Sequence, residues 1–189
     1  MTTPHPVPDR LDPRKTVLVV VDLQERFRSL IHGMDRVVAT TDRLIRFCGE
    51  LEIPVLVTEH YSRKLGVTLS ELRSLFSPFE PVEKIHFSCA GNKEFNTRLE
   101  TLGRTQIILC GIETHVCIYQ TALDLMREGK QVAAVVDAVS SCSASNREIG
   151  LSAMAGAGVQ LMGAQMAMFE LLHRAGTPEF KRVSGLLKD

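Results

Sequence analysis

One cysteine of this sequence stands where a nucleophile could act. Cys117 follows the apolar segment IILC and Gly111, and we expect it in the first turn of a helix with Thr114 as its N-cap. The free N–H groups and the positive end of the helix dipole at such a position favour a thiolate, lower its pKa below ~8.5 and can hold an oxyanion. A small buried thiol that only packs fits the position equally well. Position alone therefore leaves catalysis and packing as equal interpretations.

Further titratable residues follow other apolar segments. Asp22 follows VLVVV, and Glu59, His60 and Tyr61 follow VLVT. Ligands of open parallel sheets bind beyond the carboxyl ends of the strands, so these side chains are able to meet. Taken by itself, Asp22 is also explained as a carboxylate that caps a loop or a helix. Lys84 lies in a short segment between apolar residues, and a lysine is usually solvated.

The order of the predicted elements indicates an α/β fold. Apolar β-branched segments alternate with helical patterns, and they lie at 17–21, 55–58, near 82–87, and at 107–110, 132–136 and 159–162. Their continuous apolar character is typical of strands that are buried on both faces. Strand–helix alternation builds a parallel sheet between two helical layers. We therefore expect a three-layer α/β/α sandwich with one mainly parallel, Rossmann-like sheet of about six strands.

Composition and charge exclude several classes of protein. Lys+Arg and Asp+Glu both total 22, so the net charge of zero offers no footprint for nucleic acid or an anionic membrane. No apolar segment approaches the roughly 20 residues of a membrane span. We expect residues 1–14 to be no signal peptide but an arm, disordered or laid on the surface, before a single domain at 15–189. Five cysteines without a C-x-x-C pair indicate free thiols in a reducing, cytoplasmic compartment.

Three motifs together resemble the isochorismatase-like cysteine hydrolase superfamily. The first is VVDLQ with Asp22, the second is Lys84 with Ser88 four residues on, and the third is GIETHVC, which ends at Cys117. The third motif is similar to the family pattern G-x-x-T-x-x-C. The resemblance spans residues 17 to about 172, and the segments TEHY, LGVT and PEFK are similar to the isochorismatase domain-containing protein subgroup. It implies the same α/β fold, a small-molecule substrate and a homo-oligomer.

The resemblance also implies roles for particular residues. Asp22, Lys84 and Cys117 would form a catalytic triad, in which the carboxylate moves the thiol proton, the lysine stabilises the charges and the sulfur attacks a carbonyl. The backbone N–H groups of Glu113 and Cys117 would form the oxyanion hole. The family further implies a cis peptide bond between Ile112 and Glu113.

Some residues depart from patterns within the superfamily. Isochorismatase itself lacks the nucleophilic cysteine, so Cys117 argues against hydrolysis of a vinyl ether. Metal-binding nicotinamidases have Asp-x-His where Glu59-His60-Tyr61 stands here. A metal shared by His60 and His86 is the alternative, but two histidines without that motif are weak evidence, so we expect no metal and no other cofactor. His115 is left out of the site because adjacent positions on a regular helix point apart. The candidates for substrate binding, each of which also fits a structural place in the core or on the surface, are Phe27, Glu59, His60, Tyr61, His86 and Tyr119.

These residues predict hydrolysis of a small amide, or of a related C–N or ester bond, through a thioester on Cys117. The alternative is a non-hydrolytic, oligomeric thiol protein on the same fold, acting as a redox sensor or a scaffold, because reactive cysteines also suit sensing. The presence of both Asp22 and Lys84 favours hydrolysis, since sensing requires neither a proton shuttle nor its lysine partner.

Overall fold

Six parallel strands form one sheet in the computed structural model, which describes residues 7–188. The strands are β1 (Thr16–Val21), β2 (Val55–His60), β3 (Val82–Lys84), β4 (Gln106–Ile112), β5 (Gln131–Ser140) and β6 (Gln160–Met162). The helices are α1 (Met34–Glu50), α2 (Ser62–Leu65), α3 (Ser70–Arg73), α4 (Lys93–Leu102), α5 (Tyr119–Arg127), α6 (Ala144–Gly156), α7 (Ala164–Leu172) and α8 (Pro178–Val183). Short 3-10 turns lie at Glu25–Phe27 and Cys89–Gly91, and a π-helical turn lies at Thr114–Ile118.

The sheet separates two hydrophobic cores. Along β1, Leu18 and Val20 belong to one core, and Val17, Val19 and Val21 belong to the other. Helices α1, α7 and α8 contribute to the first core, and α4, α5 and α6 contribute to the second. Because both faces of β1 are buried, its sequence is continuously apolar rather than alternating. The three-layer sandwich with a parallel sheet of six strands is confirmed.

The strand order is β3-β2-β1-β4-β5-β6, so β1 and β4 lie at the centre of the sheet. The order reverses between these two strands, and open α/β sheets bind ligands in the crevice beyond that point. Gly111 permits the close approach of the two strands, because its φ is +126° and a Cβ on it would lie 2.1 Å from the carbonyl oxygen of Val21. The segments that follow β1 and β4 therefore leave the sheet side by side.

The expected N-terminal arm is only partly covered, because residues 1–6 lie outside the described residues. From 7 to 14 the chain forms neither helix nor strand. Leu11 is fully buried in the first core. Its N–H donates to Glu170 Oε1 at 3.0 Å, and its carbonyl accepts a hydrogen bond from His173 Nε2 at 2.7 Å. The described part of the arm is thus held against the domain.

Candidate active site

A buried ion pair lies at the carboxyl edge of the sheet. Asp22, directly after β1, and Lys84, the last residue of β3, are 2% and 1% exposed. Lys84 Nζ donates to Asp22 Oδ2 at 2.6 Å and to the carbonyl oxygens of His86 and Phe87, both at 3.2 Å. The second carboxylate oxygen of Asp22 accepts a hydrogen bond from Thr58 Oγ1 at 2.7 Å. The three N–H bonds of the ammonium and both carboxylate oxygens are therefore engaged.

The environment keeps Lys84 charged. Burial lowers the pKa of Lys84, but the attraction of the Asp22 carboxylate outweighs burial, so the pKa is raised. Burying two charges is costly unless the geometry is good and the remaining hydrogen bonds are made, and both conditions hold here. The pair thus presents an anionic oxygen in a site that is shielded from solvent, with a fixed cation beside it.

Cys117 approaches this pair from β4. Glu113 follows the strand with a φ of 57°, and the chain then passes through the π-helical turn Thr114–Ile118 into α5. Cys117 lies in that turn and is 6% exposed. The N-cap position belongs to Glu113 rather than to Thr114, whose Oγ1 is buried without a hydrogen-bond partner. The cysteine therefore lies at the start of a helix, as expected, but the turn that holds it is wider than an α-helical one.

The pKa of Cys117 is raised, contrary to the expectation drawn from the helix terminus. Burial is the largest cause, the nearby Asp22 carboxylate is the next, and the Lys84 cation acts in the opposite direction. Desolvation of the thiolate therefore outweighs the attraction of the Lys84 cation. The resting group is a neutral thiol that borders the same cavity as the Asp22 carboxylate. A carboxylate at this place is suited to accept the thiol proton.

A cavity of about 330 Å³ opens onto Asp22 and Cys117. The other residues that line it are mainly apolar or aromatic, without a lysine or an arginine, and they are Phe27, His60, Leu65, Phe87, Ile112, Glu113, His115, Val116 and Cys142. A larger cleft of about 410 Å³ lies near Glu50 and Arg182, but no cysteine lines it. The cavity at the carboxyl edge therefore combines room for a small molecule with a nucleophile and a base.

Comparison with known proteins identifies the family. The Isochorismatase domain family matches residues 16–166. The chain belongs to the isochorismatase family. The secreted isochorismatase effector Isc1 of Phytophthora sojae is 38% identical over 184 residues, which cover 95% of this chain and 88% of that protein. Isochorismatase domain-containing protein 2B of Mus musculus is 37% identical over 181 residues, which cover 95% and 84%, so the resemblance to this subgroup is confirmed.

Solved structures share the isochorismatase-family fold. The structure of Mar1 ribonuclease from Caenorhabditis elegans has a TM-score of 0.89 and 36% sequence identity, and covers 95% of this chain and 92% of that one. The Escherichia coli YcaC gene product, described as an octameric hydrolase of unknown specificity, has a TM-score of 0.85 and 24% identity, with coverage of 98% and 89%. The second likeness concerns the fold alone.

Two of the expected substrate-binding residues, Phe27 and His60, line the cavity of this isochorismatase domain. The His60 ring stacks on Phe87, with ring centroids 5.6 Å apart and an angle of 28° between the planes. Burial, and then the charge of Lys84, lowers the pKa of His60, which favours the neutral ring. Its Nδ1 is buried without a hydrogen-bond partner. His60 therefore contributes a neutral aromatic ring to the cavity wall.

The other four expected substrate-binding residues do not line the cavity. Glu59 is buried, and its Oε1 accepts hydrogen bonds from the N–H and the hydroxyl of Thr68 at 2.7 and 2.8 Å, so it fixes the segment before α3. Tyr61 is 40% exposed, His86 is exposed, and Tyr119 packs against the second core. As substrate contacts these four residues stay predictions, and they do not line this cavity because the end of a strand does not determine the direction of each following side chain.

The expected cis peptide bond between Ile112 and Glu113 is wrong. Among residues 7–188 the cis bond is Ser77–Pro78, and the bond before Glu113 is trans. The chain turns here through the positive φ of Glu113, a left-handed conformation that few non-glycine residues adopt. Glu113 and Cys117 both line the cavity. The oxyanion hole that their N–H groups would form stays a prediction.

Phe87, His115 and Cys142 line the cavity although the sequence did not point to them. His115 was excluded on regular α-helical spacing, which does not apply to a π-helical turn. Helix α6 packs so closely on this turn that a Cβ on Gly150 would lie 2.8 Å from the Cα of His115. Cys142 directly precedes Ser143, the N-cap of α6. That serine is the sequence signal that could have placed Cys142 at a helix terminus.

Proposed function

We propose that this isochorismatase-family chain is a cysteine hydrolase that cleaves a small amide, or a related C–N or ester bond, through a thioester on Cys117. The observation that supports this proposal most directly is the buried Asp22–Lys84 ion pair, whose carboxylate lines the same cavity as the Cys117 thiol. A proton acceptor beside a poorly acidic thiol is of use when the thiol must become a nucleophile.

The proposed reaction proceeds in two halves. Asp22 takes the thiol proton as the Cys117 sulfur bonds to the substrate carbonyl carbon. The Lys84 ammonium stabilises the negative charge that the carboxylate and the thiolate share during this transfer. The N–H groups of Glu113 and Cys117 hold the oxyanion. When the intermediate collapses, the C–N or C–O bond breaks, and the proton on Asp22 passes to the leaving group. Water then attacks the thioester with Asp22 as its base, which releases the acid and restores the thiol.

The cavity favours a small substrate without a negative charge. Its lining includes the carboxylates of Asp22 and Glu113 and no lysine or arginine, whereas a phosphodiester requires cations around its oxygens. This lining favours acyl chemistry over cleavage of RNA, although one relative is called a ribonuclease. The redox-sensor alternative is less well supported, because the pKa of Cys117 is raised and sensors depend on an accessible thiolate.

The proposal includes the assembly and the compartment. A homo-oligomer is supported by exposed apolar side chains such as Leu30, Ile85 and Phe87, and one structure of this fold is called octameric. Sedimentation equilibrium tests the homo-oligomer, and a monomeric mass contradicts it.

Among residues 7–188, every helix is too short or too polar to span a membrane. A reducing cytoplasm is supported by five free cysteines, whereas a relative is called secreted, so fractionation of the source cells decides between the two compartments.

A library of small amides and esters, with an RNA oligonucleotide included, tests the proposed reaction. We expect the parent protein to hydrolyse at least one acyl compound and to gain the acyl mass in a quenched reaction. Cys117→Ala should lose the hydrolysis and the gain in mass. Cys48→Ala, which removes a buried thiol from α1, should keep the hydrolysis and the gain in mass. Acyl hydrolysis that survives in Cys117→Ala contradicts the proposal, as does cleavage of RNA alone.

A further inference from the structure

Three side chains with metal-binding atoms meet at the wall of the cavity. Glu113 and His115 come from the turn after β4, and Cys142 comes from the turn before α6. One ligand atom from each lies within 4.8 Å of the other two. All three residues line the same cavity as Cys117. The packing of α6 on the π-helical turn, with Gly150 against His115, brings the two segments together.

The spacing of the first two atoms suits a shared cation. Glu113 Oε2 lies 3.3 Å from His115 Nδ1. Two ligands at about 2.0 Å from a tetrahedral zinc ion are separated by about 3.3 Å, which follows from the tetrahedral angle. Glu113 Oε2 is buried and has no hydrogen-bond partner, whereas His115 Nδ1 also lies 3.1 Å from Ser141 Oγ, a contact that a bound cation would replace. A cation would satisfy this oxygen, since an unpartnered buried carboxylate oxygen is costly.

The third side chain is placed to complete the set. Cys142 is exposed, so an ion from solvent can reach it. It stands directly before the N-cap of α6, a helix of 13 residues, and the positive end of that helix favours a bound thiolate. Asn146 Nδ2 donates a hydrogen bond to its sulfur at 3.3 Å, which holds the side chain in place. The exposure of Cys142, the positive end of α6 and the hydrogen bond from Asn146 therefore all favour Cys142 as the third ligand.

We infer that Glu113, His115 and Cys142 form a binding site for a divalent cation of the zinc class. A thiolate, an imidazole and a carboxylate together select zinc over magnesium or calcium, which prefer oxygen ligands. Binding releases the Cys142 thiol proton to solvent. Three protein ligands leave a fourth position for water or a substrate oxygen. The site is separate from the Glu59-His60-Tyr61 segment, which stands where metal-binding nicotinamidases have Asp-x-His.

An ion at this site would share the cavity with Cys117. Because His115 and Cys142 border the same space as the nucleophile, a bound cation with its fourth ligand would fill part of that space. We therefore expect zinc to slow the alkylation of Cys117 by iodoacetamide. This consequence concerns access to the sulfur and holds whether or not the chain is a hydrolase.

Calorimetric titration of the whole protein with zinc tests the site directly. We expect one zinc ion per chain, and an affinity at least about 100-fold lower in Cys142→Ser and in His115→Gln, because ligand loss costs more than the loss of outer contacts. His32→Gln is the matched control, since His32 has an exposed side chain and should leave the affinity unchanged. Cys117→Ser should also bind zinc as the parent does.

Cobalt provides an independent spectroscopic measure. Co²⁺ bound through Cys142 should produce a thiolate-to-metal charge-transfer band in the parent and in Cys117→Ser, but not in Cys142→Ser. Circular dichroism establishes that each variant is folded, and exposure of Cys142 predicts that its replacement is tolerated. The inference is overturned if Cys142→Ser and His115→Gln bind zinc like the parent, or if Cys117→Ser abolishes binding. Neither result depends on turnover, so failure here is distinct from failure of the proposed hydrolysis.

Discussion

At the amino edge of the sheet, Gln106 buries a neutral amide, whereas at the carboxyl edge Asp22 and Lys84 bury opposite charges. The Gln106 side chain has four partners: Oε1 accepts from Asp12 N and Thr16 Oγ1 at 2.8 and 3.2 Å, and Nε2 donates to the Arg10 carbonyl and Gln131 Oε1 at 2.9 and 3.2 Å. All the hydrogen-bonding capacity of the amide is used within the protein.

The carboxyl edge has more unpartnered buried atoms than the amino edge, where Arg104 Nε is one. Four side chains at the carboxyl edge have buried polar atoms without a hydrogen-bond partner, and they are His60, Ser88, Glu113 and Thr114. Asp22 and Glu113 also adopt a left-handed backbone conformation, with a φ of 57° in both. Natural proteins depart from good local geometry and full hydrogen bonding mainly where function requires it. The comparison indicates that the amino edge serves folding and the carboxyl edge serves a ligand. Variants at each edge test this difference.

Removal of the ion pair should have the largest effect on activity. Lys84→Met leaves Asp22 buried without its cation and should lower the free energy of unfolding by about 3–5 kcal/mol. The double variant Asp22→Asn/Lys84→Met removes both charges and should recover most of that stability. We expect both variants to lose about 10³-fold or more of the hydrolysis rate, because the proton shuttle is disabled.

Urea denaturation and the rate on the best substrate from the library measure the two quantities separately. Activity that returns together with stability in Asp22→Asn/Lys84→Met would mean that the pair is structural. If Asp22→Asn/Lys84→Met is as unstable as Lys84→Met, the charges themselves stabilise the fold. That result would contradict the assignment of the carboxyl edge to ligand binding rather than to folding.

The amino edge should respond in the opposite way. Gln106→Leu leaves several buried groups without partners and should lower the free energy of unfolding by about 2–4 kcal/mol. The activity per folded molecule should not change, since the side chain is at the other edge of the sheet. Gln120→Leu, on the exposed surface of α5, is the control and should stay within about 0.5 kcal/mol of the parent. A fall in activity per folded Gln106→Leu molecule would contradict a purely structural role.

The sequence was sufficient for the architecture because buried parallel strands leave a strong pattern. β1 and β4 are continuously apolar, and even the short strand Val82–Lys84 lies within the segment predicted near 82–87. The motifs also pointed to Asp22, Lys84 and Cys117, which the fold brings to one edge. Their order along the chain and their places at strand ends are properties of the sequence itself.

The cavity wall was harder to predict because it depends on packing between distant segments. Cys142 reaches the cavity only because α6 packs on the turn that contains His115, a contact that Gly150 permits. The expectation of a low pKa for Cys117 was wrong for a similar reason, because desolvation depends on how much of the surrounding chain covers the sulfur. Periodicity describes the faces of single elements and does not report how closely two of them approach.

Replacement of Glu59 should have the smallest effect on the free energy of unfolding. It also decides whether Glu59 is a structural residue or a substrate contact. Its Oε1 accepts two hydrogen bonds from Thr68 and does not line the cavity. Glu59→Gln keeps an oxygen acceptor but replaces charge-assisted bonds by neutral ones, so the free energy of unfolding should fall by about 1 kcal/mol. KM and kcat should stay at the parent values, whereas His60→Gln, at the cavity wall, should change KM on the same substrate. If Glu59→Gln raises KM by about 10-fold, a change of 1.4 kcal/mol in binding, the substrate contact expected from the sequence is real and the structural role assigned here is wrong.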